Sequence, residues 1–254
     1  MNTGLVLSGG GFRGLAHIGI LKALEEHKIT PSHISGTSAG AVVGALYASG
    51  LRWNEILNFF KEVDIFSIRN FALNKPGFVD TEKFRDDFAA LLKEDSFESL
   101  KIPLFITATN ILEGSLKVFS SGPLIKPLLA SAAFPGMFTP VRINNEHYVD
   151  GGVLNNFPVD LIKDQCDQII GVYVNPFVKK SMKDLKHSYN ILERAFQIRA
   201  AKSSIEKFKD CDLLISPEDL SHHGTFTVKD MDVVFKLGYK AAKKALEQEN
   251  DLFF

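Results

Sequence analysis

Two cysteines in 254 residues, Cys166 and Cys211, are too few for a disulfide framework, and they lack metal-ligand spacing. They read as buried free thiols in a reducing compartment. No window approaches the roughly 18 to 20 consecutive apolar residues that a spanning helix needs, so any lipid contact is expected to be peripheral. The formal net charge of −1 supplies no global basic field, and Lys and Arg are dispersed rather than striped, which argues against nucleic acid as a partner. Met1 to Ser8 lacks a basic leader and runs straight into what reads as a core strand. The expectation is a soluble, cytoplasmic chain without a secretory signal. No internal repeat or low-complexity linker interrupts it.

With 45% hydrophobic residues, strand-like and helix-like segments alternate along the chain. This predicts one α/β domain over 1–254, with a mainly parallel central sheet and helices on both faces. Predicted strands are Leu5–Leu7, a second ending at Ile34-Ser35, Leu104–Thr107, Leu116–Phe119, Tyr148–Asp150, Ile169–Val174 and Leu213–Ile215. Predicted helices cover Leu15–Glu26, the segment opened by Ser38 and closed by Gly50, Thr81–Leu92, Pro123–Ala132, Lys183–Lys209 and Lys229–Glu249. Trp53 to Phe71 is helical in pattern and rich in phenylalanine, a candidate cap. A loop follows at Asn74-Lys75-Pro76-Gly77. The part from 183 to 254 is mostly helical.

Two glycine-rich corners stand out, each after an apolar run and before a helix. One is Gly9-Gly10-Gly11-Phe12-Arg13-Gly14; the other is Gly36-Thr37-Ser38-Ala39-Gly40, a GxSxG element that would present the Ser38 hydroxyl at a helix start. GxSxG alone arises by chance about 0.1 times in a chain of this length, whereas GGGxRG arises only about 0.0003 times, so the second corner makes the first informative. A phosphate loop is the rival for Gly9–Gly14. No Lys-Ser/Thr follows for a P-loop, and no convincing acidic ribose partner lies at the right distance.

A serine nucleophile needs a base and donors for the oxyanion that forms in the attacked carbonyl. Of the seven histidines, His17, His27 and His187 read as helix residues, and His33 and His147 flank strands. His222 and His223 sit in a polar loop, and either leaves a His-assisted triad open. Asp150 ends a predicted strand and is followed by Gly151-Gly152, so its carboxylate can face the same sheet edge as Ser38; a plain Asp-Gly turn is the other reading.

GGGFRG, GTSAG and DGGVLNNFP, in this order, resemble the patatin-like phospholipase family, the last string especially its bacterial members and the catalytic region of neuropathy-target-esterase-type lysophospholipases. Ala130-Ser131-Ala132-Ala133-Phe134-Pro135-Gly136 resembles a family segment between the serine and aspartate motifs. The likeness spans roughly Leu5 to Asp160. It implies a three-layer α/β/α fold and a Ser-Asp dyad, with Ser38 as nucleophile and Asp150 as general base. The amides around Gly9, Gly10, Gly11 and Arg13 would form the oxyanion hole, with Gly36, Gly40, Gly151 and Gly152 shaping the corners. It further implies a lipid or acyl-ester substrate, an acyl-enzyme intermediate, no metal and no cofactor.

Two other readings stay open. One is a lipid- or acyl-binding regulatory protein of the same fold with little turnover; the other is a His-assisted esterase of small soluble esters. The Arg13 side chain is either a phosphate contact or a clamp for its loop. The phenylalanines from Phe59 to Phe78 either line an acyl pocket or pack in the core. The terminal Leu252-Phe253-Phe254 either touches lipid or a partner, or frays. Oligomeric state is not legible.

Overall fold

The structure, a computed structural model, describes residues 2–63, 71–72, 75–224 and 230–248. Its strands are β1 (Thr3–Leu7), β2 (His33–Thr37), β3 (Leu104–Asn110), β4 (Ser115–Phe119), β5 (Val141–Ile143), β6 (Glu146–Asp150), β7 (Gln168–Val172) and β8 (Leu213–Ile215). They form one sheet in the order β5-β6-β3-β2-β1-β7-β8, with β4 also on β3. The stretch β3-β2-β1-β7-β8 is parallel, while β4, β5 and β6 are antiparallel to their neighbours.

Alternation along the strands sends side chains to opposite faces. Leu5, Leu7, Ile34, Ile106, Val172 and Ile215 enter the larger core, against the helices. Val6, Ile169 and Tyr173 enter a smaller cluster built on Phe157, Val159 and Ile162. The half-buried free thiols Cys166 and Cys211 pack on that second cluster, so the expected full burial is only partial.

The helices are α1 (Leu15–Glu26), α2 (Ala39–Ala48), α3 (Trp53–Glu62), α4 (Arg85–Leu91), α5 (Ile125–Ser131), α6 (Ser188–Ile205) and α7 (Met231–Gln248). The long helix expected over 183–209 is interrupted at both ends. Ser181 and Asp184 close a short capping box, His187 caps the helix start, and a separate turn forms at Phe208–Asp210. α3 ends at Glu62, short of the 53–71 span expected, and Phe66, Asn74 and the terminal Leu252-Phe253-Phe254 lie outside the described residues.

α7 lies directly on α1. A Cβ on Gly238 would sit 2.1 Å from the Ala16 carbonyl oxygen, and one on Gly19 would sit 2.1 Å from that of Phe235. The two helix backbones therefore meet where neither carries a side chain.

One register detail brings the two motif ends together. β2 pairs with Leu104–Thr107 of β3, β6 pairs with Ala108–Asn110, and β4 pairs with Ile106–Asn110 across both stretches. β4 therefore occupies one edge of β3, and β2 and β6 share the other. Being antiparallel, they meet there head to head at their carboxyl ends, Thr37 opposite Thr107 and Asp150 opposite Ala108.

Candidate active site

Ser38 follows β2 and begins α2 with φ 54° and ψ −125°, a conformation that costs a non-glycine residue about 1–3 kcal/mol. Neighbours enforce it. The Ser38 amide donates to Ser131 Oγ at 2.8 Å. A Cβ on Gly40 would lie 2.2 Å from the Leu7 carbonyl oxygen, and one on Gly36 would lie 2.8 Å from the Ala41 backbone, so GxSxG is needed for α2 to approach the sheet this closely.

Although Ser38 occupies the N-cap position of α2, its hydroxyl does not cap the helix. It donates to Asp150 Oδ2 at 2.6 Å. Asp150 Oδ1 accepts from the Gly152 amide at 2.7 Å, and the Asp150 amide donates to the Ala133 carbonyl at 2.9 Å. Ser131 and Ala133 thus hold the serine and the aspartate from one short segment, which gives the Ala130–Gly136 string a structural reason. A Cβ on Gly151 would collide with Thr107. Asp150 is 2% exposed, and burial pushes its carboxyl up from 3.8 to about 7, with the Ser38 hydroxyl and the Gly152 amide pulling it back.

The glycine loop lies alongside. The Gly9 amide donates to the Asn156 carbonyl at 3.1 Å, and the Arg13 amide to the Gly10 carbonyl at 3.2 Å. These two of the four amides expected to face an oxyanion are already engaged. Those of Gly10 and Gly11 donate to no acceptor among the described residues. Asn156 knits the motifs together: its Oδ1 would lie 2.4 Å from a Cβ on Gly9 and 2.7 Å from one on Gly152.

A family model described as patatin-like phospholipase matches residues 5–162, a span holding both glycine corners and Asp150. The chain belongs to the patatin-like phospholipase family. It is 28% identical over 97% of its length to the lysophospholipase NTE1 of Mycosarcoma maydis, of which it covers 15%. It is 34% identical over 67% of its length to an uncharacterized NTE family protein of Mycobacterium tuberculosis, of which it covers 48%. The chain thus spans half or less of these relatives. Among solved structures its fold resembles VipD from Legionella pneumophila (TM-score 0.65, 17% identity, 97% of this chain and 67% of that one). The type III effector ExoU is similar at TM-score 0.52 and 17% identity, over 97% of this chain and 53% of that one.

In this patatin-like chain a cavity of about 160 Å³ opens beside Ser38 and Asp150. Its walls are apolar, with Phe59 and Phe60 from α3, Phe84 and Phe88 around α4, and Phe134 and Phe138 after α5. Phe71 and Phe78 are exposed and stay outside. α6 adds Phe196, Gln197 and Ala200, a contribution from the part of the chain that carried no motif.

The histidines are elsewhere. Among the described residues none lines the cavity. His223 Nδ1 lies 3.4 Å from Asp230, and His222 belongs to a surface turn. His17 is wholly buried under the glycine loop, where burial pulls it down to about 4, so its neutral ring donates from Nε2 to the Ser8 carbonyl at 2.8 Å. Buried Arg13 donates from Nε to the His223 carbonyl at 2.8 Å, which makes it a clamp between the loop and the 218–223 turn.

Proposed function

We propose that this chain is a single acyl-hydrolase domain that cleaves fatty acyl esters of phospholipids or lysophospholipids through an acyl-enzyme. The observation that carries this reading is the 2.6 Å hydrogen bond from Ser38 Oγ to Asp150 Oδ2 at the end of an apolar cavity. Asp150 takes the Ser38 proton as Oγ attacks the acyl carbonyl, and returns it to the departing alcohol oxygen. The oxyanion is received by the Gly10 and Gly11 amides and by the positive end of α2. Water, deprotonated by Asp150, then releases the fatty acid and restores Ser38. A carboxyl held at about 7 is a competent base near neutrality, where an ordinary aspartate near 4 is a weak one.

The experiment measures hydrolysis of acyl esters and lysophospholipids by wild type, Ser38→Ala and Asp150→Asn, with fluorophosphonate labelling of each. Both variants are expected to lose at least about a thousandfold in rate, the scale of losing a nucleophile or its base. Labelling should vanish in Ser38→Ala, and activity should survive EDTA. Equal turnover by all three proteins would overturn the dyad. An inert, unlabelled wild type would favour a binding protein instead.

A further inference from the structure

The near-neutral total charge hides a local excess, and here Lys and Arg are clustered rather than dispersed as expected for the whole chain. Residues 177–202 hold seven basic residues against Asp184 and Glu193, a net +5 in a chain of net −1. Lys179, Lys180, Lys183, Lys186 and Lys202 form no ion pair among the described residues. Interleaved with them are exposed apolar side chains: Phe177, Val178 and Met182 before α6, and Ile191, Leu192, Ile198 and Ile205 on it. Met182 is 76% and Leu192 69% exposed, so water covers side chains that ordinarily find a neighbour.

Ile191, Ala195, Ile198, Lys202 and Ile205 follow one stripe of α6 at helical spacing, with Leu192 beside it. Arg194 joins the helix to the preceding segment. Its guanidinium lies 4.1 Å from the Phe177 ring centre and donates to the Val178 carbonyl at 2.8 Å. The apolar and basic groups therefore form one continuous surface.

We infer that this surface, 177–186 together with the outer stripe of α6, docks on an anionic phospholipid bilayer. Exposed aliphatics among lysines suit the headgroup boundary, where apolar groups sink in and ammonium groups meet phosphate. A second copy of the chain fits less well, since two such faces would oppose +5 to +5. Nucleic acid would leave the aliphatics uncovered. The opposite side of α6 carries Phe196, Gln197 and Ala200 into the cavity wall, so a docked bilayer lies about one helix diameter, roughly 10 Å, from the cavity. As the source of substrate this docking rests on the proposed hydrolase reading; as binding it is measured apart from it.

The test uses Ser38→Ala protein, which cannot consume the vesicles, sedimented with phosphatidylcholine vesicles that contain or lack phosphatidylglycerol. Binding is expected only with phosphatidylglycerol, and it should weaken with salt. Lys179→Glu/Lys183→Glu/Lys186→Glu should weaken it by at least about fivefold per lysine, and Leu192→Ser/Ile198→Ser by about tenfold or more. With Ser38 intact, both sets should hydrolyse a short soluble ester at the wild-type rate. Equal binding by wild type and both variants, or none by wild type, overturns the docking surface. So does a dimer that Leu192→Ser/Ile198→Ser dissociates while vesicles go unbound. Vesicle binding by a protein inert on every ester would sink the hydrolase reading and leave the docking intact.

Discussion

Asp150 sets two opposite demands on one residue. As the base of the proposed dyad it must be ionised, so kcat/KM should rise with pH along a limb with an apparent pKa near 7 and vanish in Asp150→Asn at every pH. As a buried group its ionisation opposes folding. The folded carboxyl titrates near 7 and the unfolded one near 4, so its favourable contribution is full below about 4 and is lost as pH rises towards 7. Above that, ionised Asp150 costs up to about 4 kcal/mol. Asp150→Asn should therefore be inactive yet melt higher than wild type at pH 8, with the gap closing near pH 4. Calorimetry of both proteins across that range checks it, and a variant less stable at pH 8 would show that the carboxylate's hydrogen bonds outweigh its burial. Ser131 poses a separate question. Removing its hydroxyl in Ser131→Ala orphans the buried Ser38 amide, at about 1–3 kcal/mol. The strained Ser38 backbone then loses its restraint, and fluorophosphonate labelling should slow about tenfold or more while KM changes little. Unchanged labelling would assign Ser131 to folding alone.

At the scale of elements, the corners were legible and the pairings were not. GxSxG marks a strand-to-helix turn because only glycine permits the backbone contacts at Gly36 and Gly40, and the triple glycine marks another because Gly11 turns at φ 56°, requirements that the glycines display directly. That Asp150 meets Ser38 depends on β2 and β6 sharing one edge of β3, a long-range register that no local pattern encodes. β5 went unpredicted because three residues between Pro140 and the Asn144 turn, at φ 55°, are too few to show alternation. Engagement of the Gly9 and Arg13 amides was likewise invisible, since their acceptors come from Asn156 and from the loop's own folding. The α1–α7 contact joins residues over two hundred positions apart through two unremarkable glycines. Gly238→Leu should force α7 off α1, an overpacking that costs about 1–3 kcal/mol and lowers the melting temperature by several degrees. A wild-type melting curve would show that α7 shifts without cost.

Across the whole molecule, the cavity draws on segments that the sequence leaves far apart, and under the proposed hydrolase reading this shapes what it selects. Its phenylalanines come from the glycine loop (Phe12), α3, the α4 region, the turn after α5, and α6, so its depth is a property of the closed fold rather than of any single motif. Each methylene moved from water onto such walls is worth about 0.8 kcal/mol, about fourfold in kcat/KM when it is buried in the transition state. Across a series of acyl esters kcat/KM should climb about fourfold per carbon while the chain fills the space beside Ser38, then level off once further carbons stay in solvent. Val42 lines the wall beside the α2 start and is 6% exposed. Val42→Phe should fill part of the cavity and bring the plateau to shorter chains, leaving the rate on the shortest esters near that of wild type. A plateau at the same chain length in both proteins would place the acyl chain outside this cavity.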